Sequence, residues 1–116
     1  MDTLQPNAFI ADCPTRGILS RLAEKWTMLT LAALCGGPMR FGELRRLIEG
    51  VSQKMLTKTL RKLERDGLVH RQVYDEMPLR VEYTLTPLGQ ECARLVSEIK
   101  LWAEENMDEI GHASIS

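Results

Sequence analysis

The sequence predicts a mainly helical chain with one small β-hairpin, an α+β class that rests on three observations. Apolar residues recur every three to four positions between Pro14 and Asp66 and again after Pro87. The period switches to two between Val69 and Leu85, and glycine or proline stands where the helical period breaks. Size and composition agree with a single folded unit: 116 residues and 13.2 kDa suit one domain. With 44% hydrophobic and 27% charged residues the chain can bury a core and keep a wet surface, which excludes a largely disordered protein.

Each element has its own signals. Residues 1–12 show no period and read as an N-terminal arm or short helix. In Cys13-Pro14-Thr15 the proline pushes Cys13 out of the helical region and itself suits the first helical position, so Cys13 is placed as an N-cap. Ile18, Leu19, Leu22 and Ala23 follow at helical spacing. From Trp26 a second, more continuously apolar helix runs through Leu29 and Ala33 and is expected to be the central buried one; Gly36-Gly37-Pro38 stops it. Phe41, Leu44, Leu47 and Ile48 mark a short third helix closed by Gly50, with Arg45, Arg46 and Glu49 outward. Ser52 is the N-cap of a fourth helix running to about Asp66, with Leu56, Leu60 and Leu63 along one face and Gly67 as its stop.

Val69, Arg71 and Val73 then alternate with His70, Gln72 and Tyr74. After the tip Asp75 to Leu79, Val81, Tyr83 and Leu85 alternate with Arg80, Glu82 and Thr84, which predicts a hairpin. Thr86-Pro87 repeats the cap-then-proline pattern, and Leu88, Cys92, Leu95, Ile99 and Trp102 form the apolar stripe of a last helix. Residues 107–116 are set apart as a C-terminal tail. Third and fourth helices joined by the turn Glu49-Gly50-Val51 and followed by a two-stranded ribbon are the parts of a winged helix-turn-helix, here over 13–106. A helical bundle with an incidental hairpin is the rival reading.

Net charge looks unfavourable for a polyanion partner: fifteen basic residues against sixteen acidic ones give -1 and a pI near 6.1. The average conceals a division. Nine basic and four acidic residues lie between Arg40 and Arg71, a balance of +5, whereas two basic and six acidic residues after Pro87 give -4 over 90–116. On the fourth helix Lys54, Lys58, Arg61 and Arg65 recur opposite the leucine stripe, with Gln53 and Thr57 near the N-terminal turn. Such a face can enter the major groove of double-stranded DNA, with Gln53, Lys54, Thr57 and Lys58 near base edges and Arg61 and Arg65 at phosphates. Ser52, Arg45 and Arg46 flank it, and Arg80 at the hairpin end is placed to touch backbone or minor groove. A solvated basic face, or one that meets an acidic protein, is the competing reading.

Taken in order, the blocks Cys13-Pro14, Lys25-Trp26-Thr27, Arg40-Phe41-Gly42-Glu43-Leu44-Arg45-Arg46, Ser52-Gln53-Lys54-Met55-Leu56-Thr57, Leu60 to Val69 and Pro78 to Thr86 closely resemble the HxlR-type winged-helix transcription regulators, relatives of the MarR group. The resemblance spans Cys13 to about Trp102. It implies a bacterial or archaeal homodimer on a pseudo-palindromic operator, with the terminal helices forming the dimer interface; repression is the commoner expectation for a small regulator with no activation domain. The residues support dimerisation independently, because two terminal helices with apolar stripes exceed what a small core needs to cover. Leu19, Leu22, Leu95, Ile99 and Trp102 are the candidate interface residues, and each could equally be core.

Several members of the family sense electrophiles or oxidants through a cysteine just before the first helix, and Cys13 matches that position. First-turn amides and the helix dipole favour a thiolate there, Arg16 would help and Asp12 would oppose; the competing role is plain capping. Cys35, at the end of an apolar helix, is expected to be a buried inert thiol, and Cys92 is expected to be packing. Three distant cysteines fit neither a disulfide framework nor a zinc site, so no metal or cofactor is expected. His70 and His112 are the only histidines, and neither a phosphate loop nor a metalloprotease motif occurs, which argues against an enzyme; a Cys13–His70 thiol catalyst is the residual enzymatic reading. The same fold also admits a DNA-binding regulator that responds to a small-molecule ligand between the terminal helices, or a winged helix used for protein interaction. The longest nearly unbroken apolar run, Met28 to Cys35, is far short of the ~20 residues that span a bilayer. The first residues lack the pattern of a secretory signal, so a cytoplasmic protein without a membrane partner is expected.

Overall fold

The structure is a computed structural model and describes residues 5–115, with side chains described through residue 111. Part of the N-terminal arm and the His112 side chain therefore lie outside the described residues. The element order is α1 Pro14–Leu22, α2 Lys25–Leu34, α3 Phe41–Leu47, α4 Gln53–Arg65, β1 Val69–Tyr74, β2 Arg80–Leu85, α5 Pro87–Glu105 and α6 Met107–Ile115. The first five helices and the hairpin follow the sequence pattern closely. α6 is an addition: the segment set apart as a tail is itself helical, and Asn106 turns the chain into it by donating both its backbone N–H (3.0 Å) and its side-chain amide (2.9 Å) to the Trp102 carbonyl. Within the arm, Ile10 N–H bonds Asn7 O and Cys13 N–H bonds Ile10 O, both at 3.1 Å, so residues 7–13 form tight turns.

α2 is the central element, packed against α1, α3, α4, α5 and β2. Its Leu31 and Leu34 join Leu44 and Ile48 of the α3 region, Leu56, Leu60 and Leu63 of α4, Val69 and Leu85 of the hairpin, and Ala93 and Val96 of α5 in one core. Each fully buried leucine stabilises the fold by roughly 1.5–3 kcal/mol relative to an exposed one. Leu47 departs from expectation. It marks the α3 period in the sequence but is 60% exposed, because Leu44 and Ile48 already occupy the core side of that short helix, which packs on α2 and β2.

The strands pair antiparallel in the register Val69↔Leu85 through Tyr74↔Arg80, which leaves residues 75–79 as the tip. Met39 extends the sheet by one residue, exchanging backbone bonds with Tyr83 at 3.0 and 2.8 Å. Two glycines set the geometry of this half of the molecule. Gly50, in the turn between α3 and α4, has a φ of 92°, where an L side chain is strained. Gly89, in the first turn of α5, lies against the Leu68 carbonyl so closely that a Cβ would collide with it. Thr86 locks the same junction: its hydroxyl donates to Gly67 O at 2.7 Å and accepts from Gly89 N–H at 3.0 Å.

Candidate nucleic-acid interface

The site is built from α4 outward. Ser52 Oγ accepts the Met55 N–H at 3.1 Å, which starts the helix as a capping serine should, and Gly67 follows its last turn with a φ of 76°. Leu56, Leu60 and Leu63 are 0–2% exposed, so the opposite side of α4 must face outward. There Gln53, Lys54, Thr57, Lys58, Arg61, Lys62 and Arg65 line one open concavity of about 700 Å³. Lys62 reaches Glu24 at 3.9 Å, whereas Lys54, Lys58, Arg61 and Arg65 form no ion pair among the described residues. No carboxylate among the described residues holds these four cations at ion-pair distance, a charge pattern that suits a polyanion. Arg45 and Arg46 are exposed on α3, whose start is fixed by the Glu43 carboxylate accepting Arg40 N–H at 2.7 Å.

Arg80 stands apart from this face. Its guanidinium donates to Glu82 at 2.8 Å and Glu76 at 2.9 Å and lies 3.7 Å from the Tyr74 ring centre. The hydrogen bond to Arg80 holds the Glu76 carboxyl below its ordinary range, and the Glu76 bond in turn raises Arg80. The sequence placed Arg80 at the hairpin end, to touch backbone or minor groove; it is at that end, bonded to two carboxylates and stacked on a ring that alternation and turn signals do not reveal. Arg71, absent from the candidate residues, shares a cleft of about 440 Å³ with Thr57, Arg61, Glu64 and Tyr83 between α4 and the hairpin. Strand alternation could have found it, since it shares a face with the buried Val69.

At the other end of the molecule, no residue of α1 is buried within the chain. Leu19 is 52% exposed, and Leu95, Ile99 and Trp102 are 52–58% exposed along α5, where Gly89, Ala93 and Val96 form the buried side instead. Leu22 differs from these four: it packs partly against the core. Between α1 and α5 lies an apolar groove of about 510 Å³ that includes Ile18, Leu22, Leu88, Cys92 and Leu95.

The three thiols occupy different environments. Cys13 is the N-cap of α1 and half-buried; its thiol donates to Thr15 Oγ1 at 3.3 Å and accepts the Asn7 N–H at 3.2 Å. The Thr15 hydroxyl first, then the Asn7 and Thr15 amides, hold its pKa below the usual thiol range, with desolvation opposing. Arg16 does not serve the thiol as its spacing suggested: its guanidinium donates to Ala8 O and Phe9 O, both at 3.1 Å, and ties the arm to α1. Cys35 is exposed, contrary to the buried thiol expected, because the end of α2 reaches the molecular edge, where its sulfur meets Ser97 Oγ at 3.3 Å. Cys92 packs against the core as expected, and burial pushes its thiol up. None of the described helices is long and apolar enough to cross a membrane.

Comparison with known proteins agrees with this fold. The model of the HxlR-like helix-turn-helix family matches residues 21–111. The HTH-type transcriptional regulator YtfH of Escherichia coli, itself uncharacterized, is 43% identical over 104 residues, covering 90% of this chain and 82% of its own. A solved structure of the transcriptional regulator ytfH from Salmonella typhimurium superposes with a TM-score of 0.89 at 38% identity, covering 97% of this chain and 100% of that one. The redox regulator HypR in its oxidized form gives a TM-score of 0.75 at 40% identity over 81% of this chain and 97% of its own.

Proposed function

This chain belongs to the HxlR-like helix-turn-helix family of transcriptional regulators, and on that footing we propose that it acts as a homodimer that reads a pseudo-palindromic operator and represses from it. The observation that carries the reading is the basic side of α4, outward and unpaired opposite a leucine stripe that is fully buried. Gln53, Lys54, Thr57 and Lys58 supply base readout, while Arg45, Arg46, Arg61 and Arg65 anchor phosphates and Ser52 sets the helix start. Dimerisation is supported by α1, a nine-residue helix without a buried residue, and by the exposed Leu19, Leu95, Ile99 and Trp102. A partner's helix laid in the α1–α5 groove removes that apolar surface from water, and two α4 helices about 34 Å apart then match one DNA turn.

Cys13 is the switch in this reading. The Asn7 N–H, and the Thr15 hydroxyl once it turns to donate to the deprotonated sulfur, favour the thiolate, the reactive form, and HypR, a relative by fold and sequence, is named a redox regulator. The test is selection of genomic DNA by the purified chain with and without diamide, alongside Cys13→Ser. A recovered operator that wild type releases on oxidation and Cys13→Ser retains is the expected result. Failure to enrich any sequence refutes the DNA-reading function, and equal responses of the two proteins to diamide refute the thiol switch.

A further inference from the structure

Charge on the hairpin divides between its two faces. The register places Val69, Arg71 and Val73 with Leu85, Tyr83 and Val81 on one face, and His70, Gln72 and Tyr74 with Thr84, Glu82 and Arg80 on the other. The first face is turned to α4: Val69 and Leu85 are in the core, and Arg71 and Tyr83 line the cleft that Thr57, Arg61 and Glu64 line from the helix. Arg71 is exposed and forms no ion pair among the described residues. Glu64, the carboxylate in this cleft, bridges to neither arginine, so both guanidiniums remain available.

On the far face, Arg80 is bonded to Glu76 and Glu82 and stacked on Tyr74. Reaching a phosphate would cost it two charge-assisted hydrogen bonds and the ring contact, about as strong as anything the phosphate offers in return. Its carboxylate partners would also then face the DNA unscreened. A guanidinium with no prior partner carries no such cost, and its planar fork matches two phosphate oxygens.

We propose that Arg71, and not Arg80, is the phosphate-binding residue of the hairpin: it takes a backbone phosphate of its own on the DNA that α4 reads, across the α4–β1 cleft from the phosphate that Arg61 takes. Arg80 is a positioning residue that neutralises Glu76 and Glu82 and stiffens the tip. This rests on the DNA-reading function above and names a contact within it.

The test uses the full chain and the duplex recovered by genomic selection, with affinity measured between about 50 and 200 mM salt, a fourfold range. Arg71→Gln lowers the slope of log affinity against log salt by about 0.9 for each bound chain, equal to about 3.5-fold in affinity per chain across that range. Arg71→Lys restores the slope. Arg80→Gln weakens binding with the slope unchanged, and speeds hydrogen exchange at Tyr74 and Glu82. Wild-type binding with an unaltered slope in Arg71→Gln overturns this inference alone, as does a slope that falls in Arg80→Gln. Wild type that binds no duplex overturns the DNA-reading function and this inference together.

Discussion

Helices α4 and α5 are both amphipathic, and the chain satisfies the apolar side of only one. α4 buries Leu56, Leu60 and Leu63 and turns Lys54, Lys58, Arg61 and Arg65 outward. α5 buries Gly89 against the Leu68 carbonyl and the small side chains Ala93 and Val96 in the core, where it packs on α2, and turns Leu88, Leu95, Ile99 and Trp102 outward. The residue left unsatisfied on each helix names the chemistry of what must cover it. An exposed, unpaired cationic face is at ease in water and gains from a polyanion; an exposed row of leucine, isoleucine and tryptophan gains by leaving water. α1 repeats the lesson of α5, since none of its residues is buried.

Core truncation on α4 should have the largest effect on stability. Leu60→Ala is expected to lower the unfolding free energy by about 2–5 kcal/mol in urea titrations, through lost burial and the cavity left behind. The loss is independent of protein concentration, because Leu60 is satisfied within its own chain. Stability like that of wild type would erase the distinction drawn between the two helices.

Charging the α5 row acts on assembly instead. In Ile99→Glu with Trp102→Glu the helical content is retained, while sedimentation shifts from two chains to one. A variant that remains a dimer would place the interface elsewhere; one that unfolds would make the row part of the core. The smallest effect separates two thiols and leaves the fold untouched. Cys13, held down by Thr15 and Asn7, is expected to react with iodoacetamide faster than Cys92, whose thiol burial raises. Lowering the pH from about 9 to about 7 protonates Cys92 first, so the ratio of the two rates widens. Mass mapping of the alkylated peptides checks this, and a ratio that narrows would show that the Cys13 environment does not favour its thiolate.

Much of the fold was legible because its signals are local. Ser52 and Gly67 bracket α4, Thr86-Pro87 starts α5, and the two-residue alternation from Val69 to Leu85 yields the strand register with its tip at 75–79. The basic face of α4 was legible for the same reason, being the complement of its leucine stripe. What escaped depends on contacts between distant residues. Cys35 ends an apolar helix and reads as buried, yet the place of that helix end beside Ser97 decides its exposure. Leu47 keeps the helical period but finds its side of α3 already filled. The convergence of Glu76, Glu82 and Tyr74 on Arg80 leaves no mark in the strand alternation, and Met39 joins the sheet through a single residue too short to show a period.

In the function proposed for this chain, a basic reading head complete within one chain is doubled by an apolar surface that is not. Hydroxyl-radical footprinting of the full-length protein on its selected operator tests both halves at once. Two equivalent protected half-sites, with centres about 10–10.5 base pairs or a whole multiple of that apart, are the result expected of two α4 helices related by a two-fold axis. A single asymmetric footprint made by one chain, or a duplex left unprotected, would contradict it.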